Sequence, residues 1–498
     1  MVQIKKIYQF DGISPKILME ASYRASGNYQ VRSFYEAKDE ILETGKFSED
    51  EFFQILDSMI DAETERKYIL SKLEGKKPML IEEIVEYFKD MDPINIIADI
   101  FYLKEQGYIE QLNETVTKII KKKIEGKEEE IEEKTILFRY QAKELTGDIF
   151  ENHFEPVSLV YEAGVCCNCG WCSSICPVNA LIIEADNFEI NEDKCIKCGL
   201  CFSQCPRSFL INESYKNIIN LNKKSKFSEK IGGHINTYSA STKKDQIKKV
   251  CQDGGIVTTI AEYLLENKIV EAVVAVKHSK ELWRPEPVIV EKVEDLYETA
   301  GTKYANAPTL NIIEKARAYN KIAVVGVPCM MKAIVKGNLF PSRIPFFNNI
   351  EYKIGLFCME SFSYENIKKL TSEIFDKDVN ELTKMNIDKG KFIITLKSGE
   401  EVNIALKEVQ SYARDICHYC DDLTSEYADI SVGSIGSQSG WSSVITRSEK
   451  GDQLYKDIVK SGLIESKNLK DVKPGLFLVE KIGGSKRKKC KSYVLESD

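Results

Sequence analysis

Two cysteine runs carry the plainest chemistry in this sequence. Cys166, Cys169, Cys172 and Cys176 follow the spacing C-x2-C-x2-C-x3-C with Pro177 directly behind, and Cys195, Cys198, Cys201 and Cys205 repeat it ahead of Pro206. Two such runs are the ligand pattern of a pair of [4Fe-4S] clusters, in which three thiolates of a run hold one cubane and the fourth reaches the other. Tight spacings wrap a turn around one face of a cluster, and the longer step lets the last thiolate point away. Gly170 and Gly199 would let the backbone pass close to cluster sulfurs, and the prolines end each turn where a short helix would otherwise continue. This assigns Cys166, Cys169, Cys172 and Cys205 to one cluster and Cys195, Cys198, Cys201 and Cys176 to the other. Zinc also takes four thiolates, but as paired C-x2-C knuckles, and two consecutive C-x2-C-x2-C-x3-C-P runs are not knuckles. Cys167 is extra and reads as a non-ligand; residues 181–191 read as a hairpin between the runs.

The chain of 498 residues holds fifteen cysteines, nine of them between Cys166 and Cys205 and none before Cys166. In a reducing cytosol such clustering points to metal rather than disulfides. Four more are Cys329, Cys358, Cys417 and Cys420. Cys329 and Cys358 each follow an apolar, strand-like segment (322–327 and 352–357), and strand ends of a parallel sheet converge on one edge where sites form. A cysteine after an apolar strand is also a common small core residue, so spacing alone leaves a third cluster open.

The elements that must position these residues differ along the chain. From about residue 244, β-branched stretches (270–276, 322–327) alternate with helical ones (257–265, 310–317), which predicts an α/β domain with a partly parallel sheet in a chain that is α+β overall. The N-terminal part is mainly helical. Helices are predicted over 33–43, 48–60, 64–73, 80–88 and 93–106, the second opened by a Ser48 to Glu51 capping box. The last three, closed by Gly107 and a short apolar stretch, have a winged-helix-like order. The third offers Lys104 against Asp99 and Glu105, too little cation for DNA phosphates, so a structural or docking role is expected. Residues 118–134 are a dense charge run, read as a solvated helix or linker, and the basic run at 486–489 reads as a mobile tail. The expected divisions are 1–60 of unassigned role, 61–117 winged-helix-like, 118–155 charged linker, 156–215 ferredoxin module, 216–480 flavin domain and 481–498 basic tail. Net charge is −8, with 29% charged and 43% hydrophobic residues, which gives no electrostatic reason to bind nucleic acid. No apolar run approaches the roughly 18 residues of a membrane span, and the first residues lack a secretory apolar core; a cytoplasmic protein is expected.

Asp253-Gly-Gly-Ile-Val-Thr-Thr259, Gly301-Thr-Lys-Tyr304, Gly326-Val-Pro-Cys329, Gly355-Leu-Phe-Cys358 and Ala428-Asp-Ile-Ser-Val-Gly433, with Gly436–Val444 continuing, resemble the family of beta subunits of coenzyme F420-reducing hydrogenases and dehydrogenases. The resemblance covers roughly residues 160 to 490, including a fused bacterial-type ferredoxin module with two [4Fe-4S] clusters. It implies FAD exchanging a hydride with coenzyme F420 and single electrons with iron–sulfur clusters. It also implies a third [4Fe-4S] cluster beside the flavin, held by Cys329, Cys358, Cys417 and Cys420. Flavin contacts are expected at Gly254, Gly255, Thr258, Gly301, Thr302, Lys303, Tyr304, Gly433 and Gly436. Gly254-Gly255 stands before a helix, whose free N–H groups suit a phosphate. Lys303 is the expected flavin-facing charge, with a solvated lysine as the alternative. Cys251 is a flavin-side residue rather than a ligand, and His418 faces outward. The first 150 residues lie outside the resemblance and are candidates for partner recognition. The expected partner is a redox protein or another subunit; rival readings are a reductase of another organic substrate and a non-catalytic relay subunit.

Overall fold

The computed structural model describes residues 28–124, 127–143, 157–184, 187–208, 226–340, 342 and 346–490. Asn28 opens the first helix, Tyr29–Glu36, its side chain accepting from the Gln30 and Val31 amides, and Lys38–Glu43 follows. The two helices expected over 48–60 and 64–73 are one, Glu49–Leu73. Nothing between them breaks it: Asp61, Ala62 and Glu63 include no glycine or proline, and Ala62, Glu63 and Thr64 are buried on it. Ser48 and Glu51 form the capping box at its start.

Strand Met79–Leu80, helices Ile81–Tyr87 and Pro93–Glu105, and strands Ile109–Ile124 and Lys127–Ala142 complete the N-terminal part. The strands form a sheet in which Lys127–Ala142 lies between the other two. The charge run is therefore not a helix or linker through residue 134. Its register sets positions 121–123 opposite positions 128–130, so the basic and acidic halves of the run fall on facing strands, an arrangement that suits a hairpin. The rest of the expected linker, 144–156, lies outside the described residues.

The cysteine-run module consists of short helices Trp171–Ile175 and Leu200–Gln204 and the hairpin Leu181–Glu184 with Asn187–Ile190. It packs on an eight-stranded mixed sheet, in order Pro285–Val290, Ala272–His278, Ile322–Gly326, Ile350–Leu356, Ile430–Gly433, Ser442–Thr446, Asn236–Thr242 and Ile464–Asn468. The second to fifth of these strands are mutually parallel. Side chains alternate across a strand, which sorts the two faces. Ala272, Val274, Ile322 and Val324 face helix Pro328–Leu339 and Trp171, Ile175 and Leu200 of the cysteine-run module. Val273, Ala323, Ile354 and Ile430 face helices Ile256–Glu266 and Glu449–Lys460. A small antiparallel sheet, Leu382–Asp388, Lys391–Leu396 and Glu401–Ala405, has its own core around Phe392, Phe362 and Leu370. The basic run expected as a mobile tail is the last turn of helix Gly475–Lys489, where Lys486 is buried. No helix among the described residues is long and apolar enough to cross a membrane.

Candidate redox site

Within the two runs, Cys169, Cys172, Cys176, Cys198 and Cys205 are buried and Cys166, Cys195 and Cys201 half-buried. Gly170 and Gly199, at φ 86° and 70°, open the two short helices in the left-handed region. A Cβ on Gly170 would meet the Asn311 amide nitrogen at 2.5 Å and Pro308 O at 2.7 Å, and one on Gly199 would meet Gln30 Nε2 at 2.8 Å. These glycines make room for neighbouring chain segments.

The thiols fall into sets. Burial pushes Cys166 up to about 12, and the next causes are the charges of Cys167 and Cys205. Cys172 is raised by burial and then by Cys205 and Cys166. Cys198 is raised by burial and then chiefly by Cys201, with Cys176 and Cys195 adding; Cys201 is pushed up to about 12 by burial, again with Cys176 and Cys195 beside it. Cys205 thus stands with Cys166 and Cys172, and Cys176 stands with the second run. Backbone N–H groups donate to sulfur at Cys166 (from Asn168, 3.4 Å), Cys176 (from Ala180, 3.2 Å) and Cys205 (from Arg207, 3.4 Å); such bonds favour thiolate and tune cluster potentials. Among the described residues, no three His, Cys, Asp or Glu side chains converge tightly enough to hold one metal ion; the thiol sets are looser than that.

Strand direction gathers the second set. Asn236–Thr242 is antiparallel to Ser442–Thr446, which is antiparallel to Ile430–Gly433, so it runs the same way as the four parallel strands. The carboxyl ends of five strands therefore share one edge. Gly254-Gly255, His278, Cys329, Cys358 and the loop after Gly433 all lie at or just beyond those ends. The Cys358 amide donates to Leu423 O (2.8 Å) and the Ser361 amide to Cys417 Sγ (3.4 Å), tying the Cys417–Cys420 loop to the same place. Burial pushes Cys358 up to about 12, with Lys486 lowering it and Cys417 and Cys420 raising it. Cys329 is raised first by its hydrogen bond with Cys167, then by burial, Cys420 and Cys358 among the neighbours.

Buried cations, with half-buried Arg414, surround these thiols. Lys486 donates to Cys358 O (2.6 Å) and Asp422 O (2.9 Å); burial lowers its pKa, but Cys420, Cys358 and Asp422 outweigh burial and raise it. Lys336 donates to Cys205 O (2.6 Å) and Ser208 Oγ (2.8 Å). Lys46 donates to Ser174 O (2.9 Å) and Cys176 O (2.7 Å) and pairs with Glu314 (3.0 Å). Arg414 donates to Cys167 O (3.0 Å) and Cys166 O (3.3 Å), joining the first run to the Cys417 loop. Lys332 and Arg207 are buried as well. Buried charge is costly unless it is paired, and a four-thiolate [4Fe-4S] cluster is an anion, so this donor set fits such clusters. None of these cations is marked singly by the sequence: Lys486 lies in the basic run at 486–489, and the others lie in unremarkable helices or loops.

The expected flavin contacts divide. Gly255, at φ 68°, precedes helix Ile256–Glu266 with no side-chain hydrogen bond at its cap, and Thr258 is buried on the first turn. The amides of such a first turn lack intrahelical acceptors, which fits a phosphate. The Gly254 amide, however, donates to Ser442 Oγ (3.1 Å), and a Cβ there would meet Ala240 O at 2.5 Å. Gly433 likewise packs on Phe357, and Gly436 on Val479 and Gly475 O, and a Cβ on Gly255 would meet Ile247 Cγ2 at 2.7 Å, so all four are also close-packing positions. Lys303 neither points to solvent nor stands free: it donates to Thr299 O (2.6 Å), Ala300 O (2.7 Å) and Gly301 O (3.2 Å), capping helix Val293–Thr299. Burial lowers it to about 8. Gly301 and Thr302 are exposed. Half-buried Tyr304 lies edge-on to Phe392 (5.5 Å), and its pKa is raised by burial and then by the charge of Asp253. Gln252 Nε2 donates to Met385 O (3.2 Å) and Asn386 Oδ1 (2.8 Å), so the small sheet closes against the loop before Gly254. His278, which follows no sequence motif, belongs here: burial and then Lys303 lower it to about 4. Cys251 Sγ donates to Asp253 O (3.0 Å), and His418 is exposed.

Comparison with known proteins gives three family matches. Residues 237–314 match the N-terminal part, and residues 319–472 the C-terminal part, of the coenzyme F420 hydrogenase/dehydrogenase beta subunit. Residues 188–210 match a 4Fe-4S binding domain. The chain is 36% identical over 268 residues to the beta subunit of coenzyme F420 hydrogenase from Methanothermobacter thermautotrophicus, covering 53% of this chain and 95% of that one. It is 33% identical over 337 residues to an F(420)H(2) dehydrogenase subunit of Methanosarcina mazei, covering 67% and 92%. Among solved structures, a chain of the F420-reducing [NiFe] hydrogenase complex from Methanosarcina barkeri aligns with a TM-score of 0.51 and 33% identity, over 53% of this chain and 92% of that one.

Proposed function

Because the chain belongs to the family of coenzyme F420 hydrogenase/dehydrogenase beta subunits, whose relatives are parts of oxidoreductases, we propose that it is a cytoplasmic iron–sulfur flavoprotein that exchanges a hydride with coenzyme F420 and passes single electrons to a partner protein. The observation that carries this reading is the shared edge: Cys329, Cys358 and the Cys417–Cys420 loop, with buried Lys486 against them, lie beside the open start of helix Ile256–Glu266. FAD, when bound, supplies the exchange between two-electron and one-electron chemistry.

The chain's own residues would do the rest. The amides of Ile256, Val257 and Thr258, preceded by Gly255, bind phosphate. Asp253, His278 and Tyr304 would line a flavin cleft where the small sheet closes against the loop before Gly254, and keep bulk water out of it. His278 is neutral across the physiological range, so it offers a hydrogen-bonding ring without charge. Cys329, Cys358, Cys417 and Cys420 hold the cluster nearest that cleft. Cys166, Cys169, Cys172 and Cys205 hold the next, and Cys195, Cys198, Cys201 and Cys176 the outermost. The hydrogen bond from Lys46 to Cys176 O supports a position for that last cluster beside the N-terminal helices, which have no counterpart in the family matches. The N-terminal helices around Lys46 would therefore form part of the docking surface for the electron partner.

Anaerobic stopped-flow mixing with reduced coenzyme F420 tests the reading. The bound flavin's visible absorbance should bleach, followed by cluster reduction. A flavin that stays oxidised under excess reduced coenzyme F420 contradicts it.

A further inference from the structure

We propose that Arg414 joins the two thiol arrays and that its fixed charge raises the potentials of the clusters on either side of it. The inference rests on the first-run and sheet-edge clusters assigned under the proposed function. By its backbone, Arg414 belongs to the sheet edge. Its carbonyl oxygen accepts from the Cys417 amide (2.9 Å), and its own amide donates to Ser361 O (2.9 Å). Ser361 in turn donates its amide to Cys417 Sγ (3.4 Å), so Arg414, Ser361 and Cys417 close one small ring of hydrogen bonds. By its side chain, Arg414 belongs to the first cysteine run. Nη1 donates to Cys167 O (3.0 Å) and Nη2 to Cys166 O (3.3 Å), one planar fork on two consecutive carbonyls.

The other cations bond one array each. Lys46 reaches Ser174 O and Cys176 O, and Lys336 reaches Cys205 O and Ser208 Oγ, all in the cysteine-run module. Lys486 reaches Cys358 O and Asp422 O at the sheet edge. Among the described residues, no carboxylate pairs with Arg414 to cancel its charge. Burial raises the Cys166 and Cys417 thiols, and the Arg414 charge opposes it at both. A [4Fe-4S] cluster gains negative charge on reduction, so a cation beside it favours the reduced state and raises the potential. An arginine stays protonated at any working pH, so this effect is fixed rather than switched. Both side-chain bonds of Arg414 go to the first run, which leaves the second-run cluster as an internal control. The seam does not depend on Arg414: the Leu310 amide donates to Cys169 O (2.9 Å) and Asn306 Nδ2 to Asn168 O (3.3 Å). Without the fork the arrays therefore stay docked.

The test is an anaerobic redox titration of the full-length holoprotein, followed by EPR, for the wild type, Arg414→Gln and Arg414→Lys. Both variants lose the fork and only the glutamine loses the charge, so the difference between them reads charge. Arg414 is half-buried and partly screened. At the wild-type midpoints, the reduced-to-oxidised ratio of two of the three clusters should fall about threefold in Arg414→Gln, which is about 28 mV for a one-electron couple. The remaining cluster should keep its midpoint, and Arg414→Lys should keep all three. Unchanged midpoints in Arg414→Gln, a shift confined to one cluster, a uniform shift of all three, or an equal fall in Arg414→Lys would overturn the proposal. Iron lost from the glutamine variant alone supports the need for charge at this place, and iron lost from both variants counts against it. Fewer than three clusters in the wild-type protein would instead bring down the underlying assignment, and the inference with it.

Discussion

The two thiol arrays are held in different ways. In the cysteine-run module, short turns do the gathering: two left-handed glycines and two five-residue helices bring the thiols together within one small segment. At the sheet edge, Cys329, Cys358 and the Cys417–Cys420 pair arrive from loops far apart in the chain. They are pinned from outside by Lys486, on the final described helix. The first array depends on local backbone geometry, while the second depends on the whole sheet being folded. A distant defect should therefore reach the second and spare the first.

That contrast can be broken in steps. The largest effect should come from Cys420→Ala, which should remove about four of about twelve irons per chain and leave the cysteine-run clusters in place. Iron and sulfide analysis with EPR reads this, and loss of all the iron would erase the distinction. Next is Lys486→Met. It removes two charge-assisted hydrogen bonds to buried carbonyls and should destabilise the fold by about 3 kcal/mol, with iron lost from the sheet-edge cluster before the others. Denaturant unfolding and timed iron release check both parts.

A smaller effect is expected where the two regions touch. A Cβ on Gly337, in helix Pro328–Leu339, would meet Trp171 Cζ2 at 2.4 Å. Overpacking costs about 1–3 kcal/mol and the gain in helix propensity returns about 1 kcal/mol, so Gly337→Ala should cost about 1 kcal/mol net, measured by chemical denaturation. The smallest effect concerns pH. The native pKa of His278 is about 4, below its ordinary 6.5, so the unfolded chain binds the extra proton across that window. This part of the stability is full above about 6.5 and is lost as pH falls toward 4. His278→Gln should flatten the acid limb of the stability profile between those values, and an unchanged slope would contradict the burial of a neutral ring.

How far the sequence announces each region follows from the same contrast. The cysteine runs are readable because every thiol is within four residues of the next in its run, and spacing alone then encodes a turn. The sheet-edge set becomes readable only after strand ends have been recognised, since Cys329 and Cys358 taken singly look like core residues. Lys486 was hidden in a basic run that reads as a solvated tail, because only tertiary packing tells a buried lysine from exposed ones. Lys303 attracted a cofactor role by its neighbours, yet its ammonium satisfies three carbonyls at a helix end. The charge run at 118–134 reads as a helix or linker because its meaning lies in the facing register of strands Ile109–Ile124 and Lys127–Ala142.

The most direct measurement is anaerobic iron, acid-labile sulfide and flavin quantitation on the full-length protein. Three clusters and one bound flavin predict about twelve irons, about twelve sulfides and about one FAD per chain. About eight irons would remove the sheet-edge cluster, and absence of flavin would remove the hydride chemistry from this chain.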